Sequence, residues 1–75
     1  MIIFEDKAFC AERVIYMEIQ DIFNSKKEYQ NSALSVFFLP DSLPTGGHLK
    51  FNFNSHDKAI EKMKELVSIV NNYPL

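Results

Sequence analysis

Hydrophobic and polar residues alternate along several segments of the chain, which is the pattern of β-strands that bury one face. The clearest alternation covers residues 48–54, where Leu49, Phe51 and Phe53 fall on one side. Three other segments, rich in β-branched and aromatic residues, also predict strands: residues 1–4, 13–20 and 33–39.

The segments between these strands have the composition of turns and loops. Residues 40–47 contain two of the three prolines and both glycines, which favour a turn through their backbone preferences. Residues 5–8 predict a turn, and the polar residues 24–32 predict a connecting loop. Leu43 lies at the tip of the 40–47 loop, where it is either a recognition residue or part of a loop without function.

The last third of the chain predicts one amphipathic helix. Asn54 or Ser55 is a suitable N-cap, and Asp57 falls in the first turn, where the helix dipole favours an acid. Residues 71–74 end the helix with two asparagines and a proline. Its apolar stripe consists of residues at helical spacing: Ile60, Met63, Leu66, Val67 and Val70.

These elements predict a single α+β domain over residues 1–75. The expected order is β-β-β-β-α, a four-stranded antiparallel meander with the helix packed on one face. The pattern leaves the strand order open. Three apolar rows are expected to face the helix: Ile15, Met17 and Ile19; Leu34, Val36 and Phe38; Leu49, Phe51 and Phe53.

The second face of such a sheet is expected to be polar, because one helix covers only one face. The two middle strands depart from this rule, since their outer rows carry Val14, Tyr16, Phe37 and Leu39. An exposed apolar patch of this kind is typical of an interface. The alternative is that residues 1–4, or the 24–32 loop, fold over the patch and cover it.

Composition and charge exclude several classes of function. The 75 residues carry a net charge of −2, which lacks the dense positive field that general nucleic-acid binding requires. The longest apolar runs are four residues, too short to cross a membrane, and the start of the chain lacks the pattern of a signal peptide. Cys10 is the one cysteine, so no intramolecular disulfide forms and a cytoplasmic location is expected.

Candidate chemistry is sparse, and no enzyme, metal site or cofactor is predicted. His48 and His56 are separated mainly by strand, which places them roughly 20 Å apart, too far to share a metal ion. Cys10 has no base at a spacing that indicates nucleophilic catalysis. Gly46 and Gly47 precede a strand, whereas phosphate-binding loops lead into a helix.

The layout of the chain resembles that of small bacterial and phage proteins, most of them uncharacterised. The segments that carry this resemblance are IIF at residues 2–4, KAF at 7–9, RVIYMEI at 13–19, LKFNFNS at 49–55 and DKAIE at 57–61. In size and style the chain is similar to anti-CRISPR proteins. The resemblance implies a non-enzymatic inhibitor of a host protein encoded by a phage or mobile element, and it transfers no site residue.

The leading hypothesis is therefore a small interaction or regulatory protein that acts by protein–protein binding. A homodimer built on the second face is a variant of it, and a structural subunit of a larger particle has the same sequence pattern. The partner-binding residues are expected to be Val14, Tyr16, Phe37, Leu39 and Leu43. The alternative is a single-stranded nucleic-acid-binding module that uses Tyr16, Phe37, His48, Lys50 and Asn52 on the open sheet.

Overall fold

The computed structural model describes residues 1–41, 43 and 47–72 of the chain. Within these residues a short 3-10 turn, Ala11–Arg13, separates an N-terminal pair of strands from the rest. The regular elements, in chain order, are β1 (Ile2–Phe4), β2 (Lys7–Phe9), β3 (Val14–Phe23), β4 (Tyr29–Phe38), β5 (His48–Phe53) and α1 (His56–Asn72).

The predicted α+β class with a C-terminal helix and antiparallel strands is confirmed, but the four-stranded meander is not. Among the described residues, the sheet has three antiparallel strands in the order β3-β4-β5, and β1 pairs with β2 alone. In this hairpin Phe4 lies opposite Lys7 across a two-residue turn in which Glu5 has a positive φ of 55°. Residues 7–9 give β1 a partner immediately along the chain, and closing so short a loop costs little entropy.

The two long strands of the sheet extend into residues that were predicted to be loop. β3 and β4 have ten residues each, so the connection shortens to residues 24–28. The Asn24 side chain organises this turn, because its Oδ1 accepts hydrogen bonds from the backbone N–H of Lys26 at 2.8 Å and of Glu28 at 3.0 Å. Lys27 takes a left-handed conformation with a φ of 64°.

The hydrophobic core lies between one face of the sheet and a cover made of α1 and the β1–β2 hairpin. The hairpin contributes two aromatic contacts: the Phe4 ring meets Phe51 edge-on at 5.1 Å, and the Phe9 ring meets Phe38 at 5.3 Å. The buried hydrophobic residues of this core are Ile2, Phe4, Phe9, Ala11, Leu34, Val36, Phe38, Phe51 and Leu66.

Most of the predicted inner rows face this core, with one exception. The rows of β4 and β5, together with Met17 and Ile19 on β3, contribute to it as expected. The placement of Ile15 in the inner row is wrong, since its side chain is 58% exposed. The pairing of β3 with β4 shifts between Val14 and Tyr16, so Ile15 is the extra residue of a β-bulge and leaves the regular alternation.

Helix α1 packs closely on the sheet through a small residue that its predicted stripe omitted. Ala59 is fully buried, as is Leu66 two turns later, whereas Val67 is 40% exposed. Ser55 is the N-cap, because its Oγ accepts a hydrogen bond from the backbone N–H of Lys58 at 3.1 Å. An alanine at the first buried position lets the helix approach the strands directly.

Lys62 links the helix to the hairpin. Its Nζ lies 3.5 Å from a Glu5 carboxylate oxygen and 3.3 Å from one of Glu65. The hydrogen bond to Glu65, followed by its negative charge, raises the pKa of Lys62 above the usual value. These groups are at the surface, where solvent screens ion pairs, so the interaction orients the hairpin more than it stabilises the fold.

We expect Leu66→Ala to lower the free energy of unfolding by about 2–5 kcal/mol, because it leaves a cavity where α1 meets the core. Urea denaturation followed by circular dichroism measures this change. Ile3→Ala is the matched control: Ile3 is 78% exposed, and its truncation should cost less than about 0.5 kcal/mol. Equal losses for the two variants would contradict the placement of the core.

Candidate functional site

The sheet face opposite α1, here called the open face, carries an aromatic row that crosses all three strands. Tyr16 of β3, Phe37 of β4 and His48 of β5 lie directly opposite one another in the strand register. The Tyr16 and Phe37 ring centroids are 5.5 Å apart, and the Phe37 and His48 rings stack at 4.9 Å with planes 25° apart. The aromatic row thus forms a continuous platform of adjacent rings.

Polar side chains continue the open face beyond the aromatic row. Glu18 and Lys50 lie on either side of Ser35 in the next register row, and the Tyr16 hydroxyl donates a hydrogen bond to Glu18 at 3.3 Å. Asn52 lies in the row after this one and Asn31 in the row after that, and the Asn31 Nδ2 donates a hydrogen bond to the Asn52 Oδ1 at 2.9 Å. One acid and one base on these rows give the open face no net formal charge.

Val14 does not share this face with Tyr16, contrary to the sequence prediction. The bulge at Ile15 pairs Val14 with Phe38, a core residue, and pairs Tyr16 with Phe37 on the open face. Val14 is accordingly packed against the core. Because side chains alternate strictly between the faces of a sheet, one inserted residue is enough to move Val14 to the other side.

The other two predicted contact residues lie outside the aromatic row. Leu39 follows the end of β4, is 38% exposed, and donates its backbone N–H to the Arg13 carbonyl at 2.9 Å. Leu43 is packed against the core and lines a shallow depression together with Cys10 and Phe38. Of the predicted patch, the structure therefore brings Tyr16 and Phe37 together and separates the rest.

Neither of the two segments proposed as an internal cover lies over the aromatic row. Residues 2–4 belong to the hairpin on the core side of the sheet. Residues 24–32 form the turn and the start of β4, so they lie within the plane of the sheet. Tyr16 is 55% exposed as a result.

A chain of hydrogen bonds at the far end of the core face was not foreseen from the sequence. Ser32, fully buried, donates its hydroxyl to the Asp21 Oδ1 at 2.6 Å, and the Tyr29 hydroxyl meets the Ser32 Oγ at 2.5 Å. The His56 Nδ1 lies 2.8 Å from the same Asp21 oxygen. The hydrogen bond from Ser32, and then the one from His56, lower the pKa of Asp21 below its usual value.

The order of the groups in this series of hydrogen bonds indicates a structural role and not a catalytic one. A nucleophilic triad needs the histidine between the hydroxyl and the carboxylate, but here the carboxylate of Asp21 lies in the middle, so the His56 imidazole contacts Asp21 and not the Ser32 hydroxyl. These hydrogen bonds join β3 and β4 to the first residue of α1. One signal was available in the sequence: Asp21 follows Met17 and Ile19 at strand spacing, which places a carboxylate on the core face.

A depression of about 480 Å³ lies between the β1–β2 turn and β5. Its charged side chains have both signs: Glu5 and Asp6 on the turn, Lys7 next to them on β2, and Lys50 on β5. Among the residues that the structure describes, no group of three or more His, Cys, Asp and Glu side chains could hold a metal ion. None of the helices formed by those residues has the length and apolar character needed to cross a membrane.

Comparisons of this chain with protein-family models, with curated proteins and with solved structures found no match.

We expect Asp21→Asn to destabilise the protein at pH 7 and the difference from the parent to shrink as the pH falls to about 3. The lowered pKa means that the folded chain favours ionised Asp21, a contribution complete above the unfolded-state pKa near 3.8 and lost as the pH falls through the folded-state pKa. Urea denaturation at both pH values measures the effect.

Asp6→Asn provides the control for this experiment, since the Asp6 side chain is 82% exposed and pairs only at the surface, with Lys7 at 3.6 Å. It should change the stability little at either pH. A pH-independent loss of stability in Asp21→Asn would contradict the role assigned to the ionised carboxylate.

Proposed function

We propose that this protein is a non-enzymatic binding module whose open face docks against another protein. The observation that carries the proposal is the aromatic row, in which Tyr16 and His48 are exposed and Phe37 is half-buried, on a face without net charge. Aromatic side chains, tyrosine among them, are enriched at the centres of protein interfaces. Three hydrogen-bonded strands hold the rings in place, so binding them costs little conformational entropy.

The composition of the open face favours a polypeptide partner with apolar and polar groups. Tyr16 and Phe37 offer ring surface, while Glu18 and Lys50 offer one charge of each sign beside it. A partner segment with an apolar side chain between a basic and an acidic residue matches this arrangement. Leu39, beyond the end of β4, is a further exposed apolar side chain but lies outside the aromatic row.

One observation supports the alternative of single-stranded nucleic acid. Adjacent stacked rings, with Lys50 and Asn52 nearby on β5, are groups that bind unpaired bases and phosphates. Against this stands Glu18, whose carboxylate accepts a hydrogen bond from Tyr16 and lies where a phosphate would approach. The net charge of −2 acts in the same direction.

Binding of this kind gives the protein a regulatory role. A small domain that covers a functional surface of its partner inhibits it without any chemistry. We include in the proposal a phage or mobile-element origin, with a host protein as the target, and action in the cytoplasm, where Cys10 stays reduced. The resemblance in layout described above supports this part.

The proposal is tested by panning a displayed library of random peptides against the immobilised protein. We expect peptides that bind the parent and lose at least about tenfold in affinity on Tyr16→Ser or Phe37→Ser, because the rings are the binding surface. Circular dichroism must show that both variants remain folded. Ile3→Ser serves as the control, since it removes an exposed apolar side chain from the hairpin and should leave binding unchanged.

A labelled oligothymidine at low salt separates the two candidate functions. We expect no binding up to tens of micromolar; binding that is lost in Tyr16→Ser and Lys50→Ala would instead establish the nucleic-acid function. Peptides that bind Tyr16→Ser and Phe37→Ser as tightly as the parent would contradict the assignment of the open face.

A further inference from the structure

β3 is an edge strand with the features of a pairing surface. In the part of the chain that the structure describes, β4 is its single neighbour, and its ten residues contain no lysine or proline of the kind that protects sheet edges. The other edge strand, β5, has six residues and carries Lys50. Between its two register shifts, β3 pairs regularly from residue 16 to residue 22.

The hydrogen bonds at the end of the sheet determine which backbone groups of β3 point outward. The Phe38 N–H donates to the Gly47 carbonyl at 3.0 Å, so Phe38 bonds toward β5 and its neighbour Phe37 bonds toward β3. The backbone groups of Tyr16, which lies opposite Phe37, therefore point toward β4. Because successive residues of a strand point their backbone groups to alternate sides, those of Met17 point away from β4. The residues with outward backbone groups are therefore Met17, Ile19 and Asp21.

Two apolar features lie at opposite ends of this edge. At one end the Phe23 side chain is 56% exposed. At the other end is a groove of about 330 Å³ between β3 and α1, here called the β3–α1 groove. Its apolar walls are formed by Val14, Ile15, Met17, Met63, Val67 and Val70.

We propose that a second copy of this chain pairs antiparallel with β3 about a two-fold axis at Ile19. This axis is midway between Ile15 and Phe23, so it places Phe23 of each copy beside the β3–α1 groove of the other. A two-fold interface must be self-complementary, and the exposed ring and the open groove supply its two halves. The outward backbone groups of residues 17, 19 and 21 then complete one another's hydrogen bonds.

The side chains select this register over its neighbours. A two-fold axis perpendicular to the sheet leaves each face on its own side, so residues paired across it must belong to the same face. Since side chains alternate between the faces, the axis must pass through a residue and not between two residues. An axis at Glu18 would place two carboxylates opposite each other, which is destabilising. The axis at Ile19 places Glu18 opposite Gln20 and Tyr16 opposite Ile22.

An axis at Gln20 would move Ile15 past the end of the opposing strand and leave it exposed. The axis at Ile19 is thus the one that avoids like charges and buries both exposed apolar ends. In the resulting dimer the two sheets form one six-stranded sheet with a continuous open face. The dimer uses the edge of the sheet and does not depend on the function proposed for its open face.

Sedimentation equilibrium from about 1 to 100 μM measures the association of the parent and of charge-swap variants. We expect a dimer for the parent and at least about a tenfold weaker association for Ile15→Lys and for Phe23→Glu alone. The double variant should recover the dimer, because each introduced lysine then faces an introduced glutamate of the other copy, twice across the interface. Ile3→Lys, with the same charge change at an exposed isoleucine outside the interface, should associate like the parent.

Recovery in the double variant supports both the edge and its register. A parent that stays monomeric at every concentration overturns the proposal, as does equal weakening by Ile3→Lys. If the single variants dissociate and the double variant does not recover, the Ile19 register is wrong.

Discussion

The fold depends on β4, the central strand, which pairs along both of its edges and is buried on both of its faces from residue 32 to residue 36. On the core side, Leu34 and Val36 pack in one core with residues of the helix and the hairpin. On the open face the strand carries two small residues, Ala33 and Ser35, and both are buried. Phe37 is the first large side chain on that face, and the aromatic row is built around it.

The bulge at Ile15 decides which side chains reach each surface. It directs Val14 to the core, leaves Tyr16 next to Phe37, and exposes Ile15 on the wall of the β3–α1 groove. One extra residue therefore produces both surfaces discussed above, the aromatic row on the open face and the apolar end of the β3 edge. Bulges that redirect side chains in this way are common near functional sites.

Much of this architecture could be predicted from local patterns. Alternation located β4, β5 and the core faces of both strands, and Ser55 was one of the two N-caps expected for the helix. Local patterns do not show which strand a segment pairs with or where a strand carries an inserted residue. The sequence therefore could not show that residues 2–4 would pair with Lys7–Phe9, or that the alternation of β3 breaks at Ile15. The hydrogen-bonded carboxylate of Asp21 depends on the same long-range register.

The most direct test is nuclear Overhauser spectroscopy of the folded protein, because side-chain proximity reports the register and the faces together. We expect contacts between the rings of Tyr16 and Phe37 and of Phe37 and His48, with the Val14 methyl groups close to residues of α1. Contacts from Val14 to the Phe37 ring, with Tyr16 near the helix, would mean that β3 presents its other face. That result would contradict both the aromatic row and the edge pairing.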